Sequence, residues 1–149
     1  MTKAKVDRLR YVGVAVPNYE EAVEYYGGIW GLTRIEGEPD VAYFAAEGSP
    51  EQFVYRIRRA EEKRLDIMSF GAADAGSVDA IAGELEAKGV KFINEPGALQ
   101  TPGGGYGFRF FDPDGRTVEV SSDVAERQSR QLDPRESIPR PAGNSRPFL

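Results

Sequence analysis

Any chemistry in this chain must be assembled without imidazole or thiol, because its 149 residues include no histidine and no cysteine. That removes the commonest transition-metal ligand and the usual general base near neutral pH, together with disulfides, thiolate metal sites and cysteine nucleophiles. Carboxylates, phenols, guanidiniums, hydroxyls and the backbone are what remain. Glu119, in the run Thr117-Val118-Glu119-Val120, can accept a ligand hydroxyl or take up a proton if it faces a cavity. On an outer face it is a solvated strand carboxylate, or one paired with Arg109 or Arg116 on the same hairpin. Tyr11, inside an apolar strand, either packs its ring in the core or offers its hydroxyl to Glu119.

Other chemistry-bearing residues have plainer readings. Arg56, Arg58, Arg59 and Arg64 form a solvated basic face, or greet an anionic substrate at one sheet edge. Asp66, at the start of a strand, reads as a turn or salt-bridge residue. Gly103-Gly104-Gly105 is followed by a strand rather than a helix and no Lys-Ser/Thr closes it, so it reads as a flexible loop bordering a cavity mouth. Asp112, Asp114 and Gly115 lack the further downstream acids of a calcium loop. Trp30 is the only tryptophan and reads as a core or interface anchor.

The elements that must position these groups follow from periodicity. Tyr106, Phe108 and Phe110 alternate with Gly107, Arg109 and Phe111, and Thr117 to Val120 alternates in the same way, giving two strands. Asp112-Pro113-Asp114-Gly115 supplies the turn between them. Leu9 to Val16 is a strand with a bulky row at Val12, Val14 and Val16. Asn18 with Glu21 has the spacing of a capping box, and Tyr19, Val23 and Tyr26 recur as in a helix that Gly27-Gly28 stops. Leu32 to Ile35, Val41 to Ala46 and Gln52 to Arg58 read as three strands. The order then begins again: a strand over Leu65 to Ala72, and a helix capped at Ser77 with Val78, Ile81, Ala82 and Leu85 on one face. A strand over Val90 to Asn94, a loop over Glu95 to Gly105 and the hairpin complete it.

Two copies of βαβββ predict an α+β fold, with curved mixed sheets that carry helices on the convex side and enclose a cavity on the concave side. One domain spans 1–122, with modules at about 8–59 and 63–122, and 123–149 is a polar Pro/Arg-rich tail or dimer arm. The alternation selects Tyr11, Gly13, Ile67, Ser69, Thr117, Glu119 and Ser121 for the concave side. A net charge of -5 without a basic block argues against nucleic acid as a partner. Neither a membrane span nor a signal peptide is evident, which points to the cytoplasm.

The run from Gly103 to Val120 resembles the closing hairpin of the vicinal oxygen chelate superfamily, the group of glyoxalases, bleomycin-resistance proteins and extradiol ring-cleavage dioxygenases. Tyr11-Val12-Gly13-Val14-Ala15-Val16-Pro17 and the stretch from Tyr25-Tyr26 to Gly31-Leu32 extend the likeness, which covers about residues 8 to 122. Arg64-Leu65-Asp66, Pro96-Gly97-Ala98-Leu99 and the extension after Asp123 are most similar to the amino-terminal domain of two-domain extradiol dioxygenases. In that family the catalytic metal is held in the carboxy-terminal domain, and the tail falls where that domain would begin. By the resemblance, Glu119 matches a metal-ligand position, whereas the other positions are Tyr11 and either Ile67 or, with the register one residue off, Asp66.

Neither of those is a histidine, so no metal and no cofactor is expected. The resemblance implies a domain whose concave face binds a small aromatic or apolar molecule, with Glu119 and Tyr11 as the candidate catalytic groups and catalysis itself left open. The alternatives are a sequestering protein of the bleomycin-resistance kind and a non-catalytic subunit that partners a separate metal-bearing chain. Open sheet edges lead to the expectation of a homodimer.

Overall fold

The computed structural model describes residues 4–127. Most of the expected arm, from residue 128 on, lies outside the described residues. The chain runs β1 (Val6–Val16), α1 (Tyr19–Glu24), a π-helical turn (Tyr25–Ile29), β2 (Thr33–Glu38), β3 (Val41–Ala45), β4 (Tyr55–Arg59), β5 (Arg64–Ala72), α2 (Ala75–Ala87), β6 (Phe92–Ala98), β7 (Tyr106–Phe111) and β8 (Thr117–Ser122). All eight strands join one curved, open sheet in the order β2-β3-β4-β1-β5-β8-β7-β6.

The order shows the duplication directly. Each module's first strand lies parallel to its own fourth strand, β1 with β4 and β5 with β8, and the two first strands meet antiparallel at the centre. Strand alternation then sorts the side chains. On the convex side Tyr19, Ala42, Phe44 and Ile57 pack with Val14 and Val16 beneath α1, while Ala72, Phe108 and Val120 pack against Val78, Ile81 and Ala82 of α2. On the concave side Tyr11, Tyr43, Phe53 and Ile67 make a third cluster. No helix among the described residues is long and apolar enough to cross a membrane.

Local departures from the sequence reading have identifiable causes. Helix α2 begins earlier than expected because Asp74, not Ser77, is its N-cap: its extended backbone lets Oδ1 accept the Ser77 amide at 2.8 Å. Asn18 does precede α1, but its side chain bonds Glu21 Oε1 at 2.7 Å and caps no backbone group. The expected loop from Glu95 is strand as far as Ala98. Pro96 is tolerated there because β6 is an edge strand with two register shifts. In the β7–β8 turn, Asp112 Oδ1 accepts the amides of Asp114 and Arg116 at 2.9 and 2.8 Å, so this acid organises the turn.

The triple glycine also departs from its reading as a flexible loop. Gly105 has φ +101, and a Cβ there would lie 2.8 Å from the Ser122 carbonyl oxygen and 2.6 Å from Val124 Cγ2. Only glycine fits, and Leu99 N–H bonds the Gly105 carbonyl at 2.9 Å to close the turn. Gly105→Ala is therefore expected to lose about 1–3 kcal/mol of stability. Urea unfolding would show it as a lower midpoint at unchanged slope; an unchanged midpoint would mean that this close packing does not form.

Candidate functional site

Cross-strand register places four polar groups in one row on the concave side. Tyr11 of β1 is opposite Ser69 of β5, Ser69 is opposite Glu119 of β8, and Glu119 is opposite Arg109 of β7. Glu119 has no exposed surface. Its Oε2 accepts the Ser69 hydroxyl at 2.6 Å and its Oε1 accepts Arg109 Nε at 2.9 Å. A carboxylate taken out of water needs donors of this kind, since an unpaired buried charge costs several kcal/mol. Tyr11 packs its ring on Phe53 at 4.3 Å, and its buried hydroxyl has no hydrogen-bond partner. Burial, and then the neighbouring Glu119 charge, push its phenol above the ordinary tyrosine range.

A second row lies two residues along. Arg56 of β4 is opposite Gly13, and Gly13 is opposite Ile67. A Cβ on residue 13 would approach Ile67 Cγ2 to 2.6 Å and Arg56 Nε to 3.2 Å. The missing side chain thus leaves room for Arg56 to pass over β1 towards β5. There Arg56 Nη2 donates to Asp66 Oδ2 at 2.5 Å, and Arg58 donates from Nη2 and Nε to Oδ1 and Oδ2 at 2.6 and 2.9 Å. The β1–β5 register shifts between Gly13 and Val14, so Asp66 is an extra residue on β5 and both Asp66 and Ile67 are buried. The two alternative registers of the sequence reading are therefore both answered by one bulge. Burial alone would raise the Asp66 carboxyl, but Arg58 and Arg56 outweigh it and hold the group below its ordinary value. A third buried pair, Arg10 Nε with Glu51 Oε2 at 2.9 Å, also reaches Ser121 Oγ from Nη1 at 2.6 Å.

Above these rows lies a cavity of about 330 Å³. One module contributes Glu38, Val41, Tyr43 and Arg56 to its wall; the other contributes Asn94, Arg109 and the segment Ala98 to Thr101. None of the seven concave-side residues selected from sequence, Tyr11, Gly13, Ile67, Ser69, Thr117, Glu119 and Ser121, is part of that wall. Tyr11 and Ile67 pack beneath Tyr43 and Val41, while Glu119 touches the wall through Arg109. The wall residues Tyr43, Asn94 and Leu99 escaped the sequence reading, as did the Arg10–Glu51 pair. Arg109 could have been placed, because it alternates with Phe108 and Phe110.

Residues 8–120 match the sequence model of the Glyoxalase/Bleomycin resistance protein/Dioxygenase superfamily. The chain belongs to this superfamily. A similar curated protein is the manganese-dependent 2,3-dihydroxybiphenyl 1,2-dioxygenase of Geobacillus genomosp. 3, 28% identical over 123 residues that cover 81% of this chain and 38% of that protein. Among solved structures, the Mn(II)-bound glyoxalase from Novosphingobium aromaticivorans has a TM-score of 0.81 and 43% identity, covering 91% of this chain and 45% of that one. Homoprotocatechuate 2,3-dioxygenase from Arthrobacter globiformis shares the fold, with a TM-score of 0.76 at 18% identity over 86% of this chain and 39% of that one. The chain thus spans less than half the length of each.

Manganese appears in two of those names, and the residues here do not fit it. Glu119, which the resemblance matches to a metal-ligand position, has both oxygens engaged, one by a guanidinium whose positive charge opposes a second cation. Its row neighbours supply a serine and a phenol, and the row beside it supplies the aliphatic Ile67. Among the described residues, no group of three His, Cys, Asp or Glu side chains converges to hold a metal ion.

Removing one member of a buried ion pair costs about 3–5 kcal/mol. Arg109 is 28% exposed, so Arg109→Leu is expected near the low end, about 3 kcal/mol, with Glu119→Gln added to it restoring most of the loss. Urea denaturation measures both, and a single-variant loss below about 1 kcal/mol would contradict the pairing. For Asp66 the sign follows from its depressed folded value. Its contribution is complete above the unfolded value of about 3.9 and fades as pH falls through the lower folded value. The stability of Asp66→Asn should therefore depend less on pH below about 4 than that of the wild type; parallel pH profiles would contradict the assignment.

Proposed function

We propose that this chain is a glyoxalase/dioxygenase-type domain that binds a small aromatic or apolar molecule in its concave cavity and supplies no transition-metal site of its own. The observation that carries the reading is the cavity of about 330 Å³, whose wall sets Val41, Tyr43 and Leu99 beside the polar groups of Asn94, Gln100 and Thr101. Small-ligand sites combine an apolar surface with a few placed polar groups in this way, and the volume lies at the small end of their range. Glu119 and Tyr11 act from beneath in this reading: the carboxylate fixes Arg109, and the phenol holds an unused hydroxyl next to it.

A second reading is favoured by one observation. The chain spans less than half of relatives named for manganese, and its own donors do not suit that ion. It would then be the non-catalytic half of a larger assembly, in which a separate chain holds the metal. Either reading accommodates pairing of two copies, because β2 and β6 end the sheet as open edges.

Binding to the native state raises apparent stability, by about 2.7 kcal/mol at a ligand concentration one hundred times Kd. Catechol and related hydroxylated aromatics should therefore raise the melting temperature of the full chain, and in NMR should shift the backbone signals of Tyr43, Arg56 and Arg109. If aromatic probes at millimolar concentration give neither effect, the ligand cavity is refuted.

A further inference from the structure

We infer that the cavity selects an anionic ligand, a carboxylate or similarly charged group on a small apolar or aromatic body, gripped between Arg56 and Arg109. This rests on the ligand cavity proposed above and specifies its chemistry. The two guanidiniums enter the wall from different modules, Arg56 from β4 and Arg109 from β7. Each is steered from below by a buried acid, Asp66 for Arg56 and Glu119 for Arg109. Those acids are fully engaged: Asp66 receives three guanidinium hydrogen bonds, and Glu119 receives one from Ser69 and one from Arg109. They hold the arginines in place and leave no carboxylate oxygen free to line the cavity.

The arginines themselves have donors to spare. A guanidinium carries five N–H groups in a planar fork suited to a carboxylate. Arg109 bonds its acid through Nε, and neither of its terminal nitrogens hydrogen-bonds an acidic side chain. Arg56 uses Nη2 for Asp66 and its Nε lies buried over Gly13, which leaves Nη1 as its nitrogen without an acid partner. The two buried carboxylates are matched by Arg56 and Arg109, and Arg58, partly exposed and outside the wall, adds a second guanidinium to Asp66. Glu38 is the acid in the wall, but it is solvent-exposed, so water screens it. Val41, Tyr43 and Leu99 accept the apolar body of the ligand.

Isothermal titration of the full chain with benzoate and with its uncharged analogue benzamide tests the inference. Benzoate should bind at least about tenfold tighter, as charge-assisted hydrogen bonds imply. Arg56→Gln leaves Asp66 its two bonds from Arg58, so it should fold normally and bring the two affinities within about threefold. Equal or tighter binding of benzamide by the wild type would overturn the anion preference while leaving the cavity intact. An undiminished preference in Arg56→Gln would overturn the grip between the two arginines. Failure of both probes, together with failure of the uncharged hydroxylated aromatics, would remove the cavity reading as well.

Discussion

The buried ion pair between Glu119 and Arg109 is the interaction on which the rest of the concave side depends. A carboxylate with no exposed surface is stable only if donors reach both oxygens, and here they come from the strands on either side of β8. That requirement fixes register. A slip of one residue on β7 or β5 would carry Arg109 or Ser69 to the convex face and leave the charge unanswered. The turn organised by Asp112 holds β7 and β8 in step, while the parallel β5–β8 pairing brings Ser69 alongside. Three strands of the second module, β5, β7 and β8, thus meet at a single buried charge.

A site of this kind differs from a metal centre in what it asks of its neighbours. A divalent cation needs several lone pairs directed at one point, whereas a guanidinium brings its own donors and is oriented by one carboxylate. The superfamily fold is retained here, while the buried carboxylate of Glu119 is engaged by an internal cation. Fold and chemistry therefore separate in this chain, and the superfamily assignment by itself says little about what the cavity does. The same logic extends to Asp66, which two arginines hold beneath the other side of the cavity wall, and to Arg10, which is buried against Glu51 and Ser121.

The two βαβββ units and the β7–β8 hairpin were legible in the sequence because period-2 alternation and the Asp112-to-Gly115 turn are local signals. Of the convex rows that alternation predicts, Val12/Val14/Val16 and Met68/Phe70/Ala72, the residues Val14, Val16 and Ala72 pack in the clusters beneath the helices. The bulges were not legible. One extra residue at Arg10 in β1 and another at Asp66 in β5 leave no mark in composition, yet they decide that both charged groups point inward. The cavity wall was the least legible part, because strand edges and a loop from opposite ends of the sheet assemble it. Alternation located the concave side, but it could not tell residues lining the cavity from those a layer beneath, as Tyr11 and Ile67 are.

An arginine, and not a metal ion, neutralises the carboxylate at the heart of this site. The most direct measurement is electron paramagnetic resonance of Mn(II) titrated with the full-length chain prepared without chelators. The six-line signal of free Mn(II) should keep its amplitude when the protein is in excess. Loss of that signal at about one equivalent per chain, with recovery on adding a chelator, would contradict it.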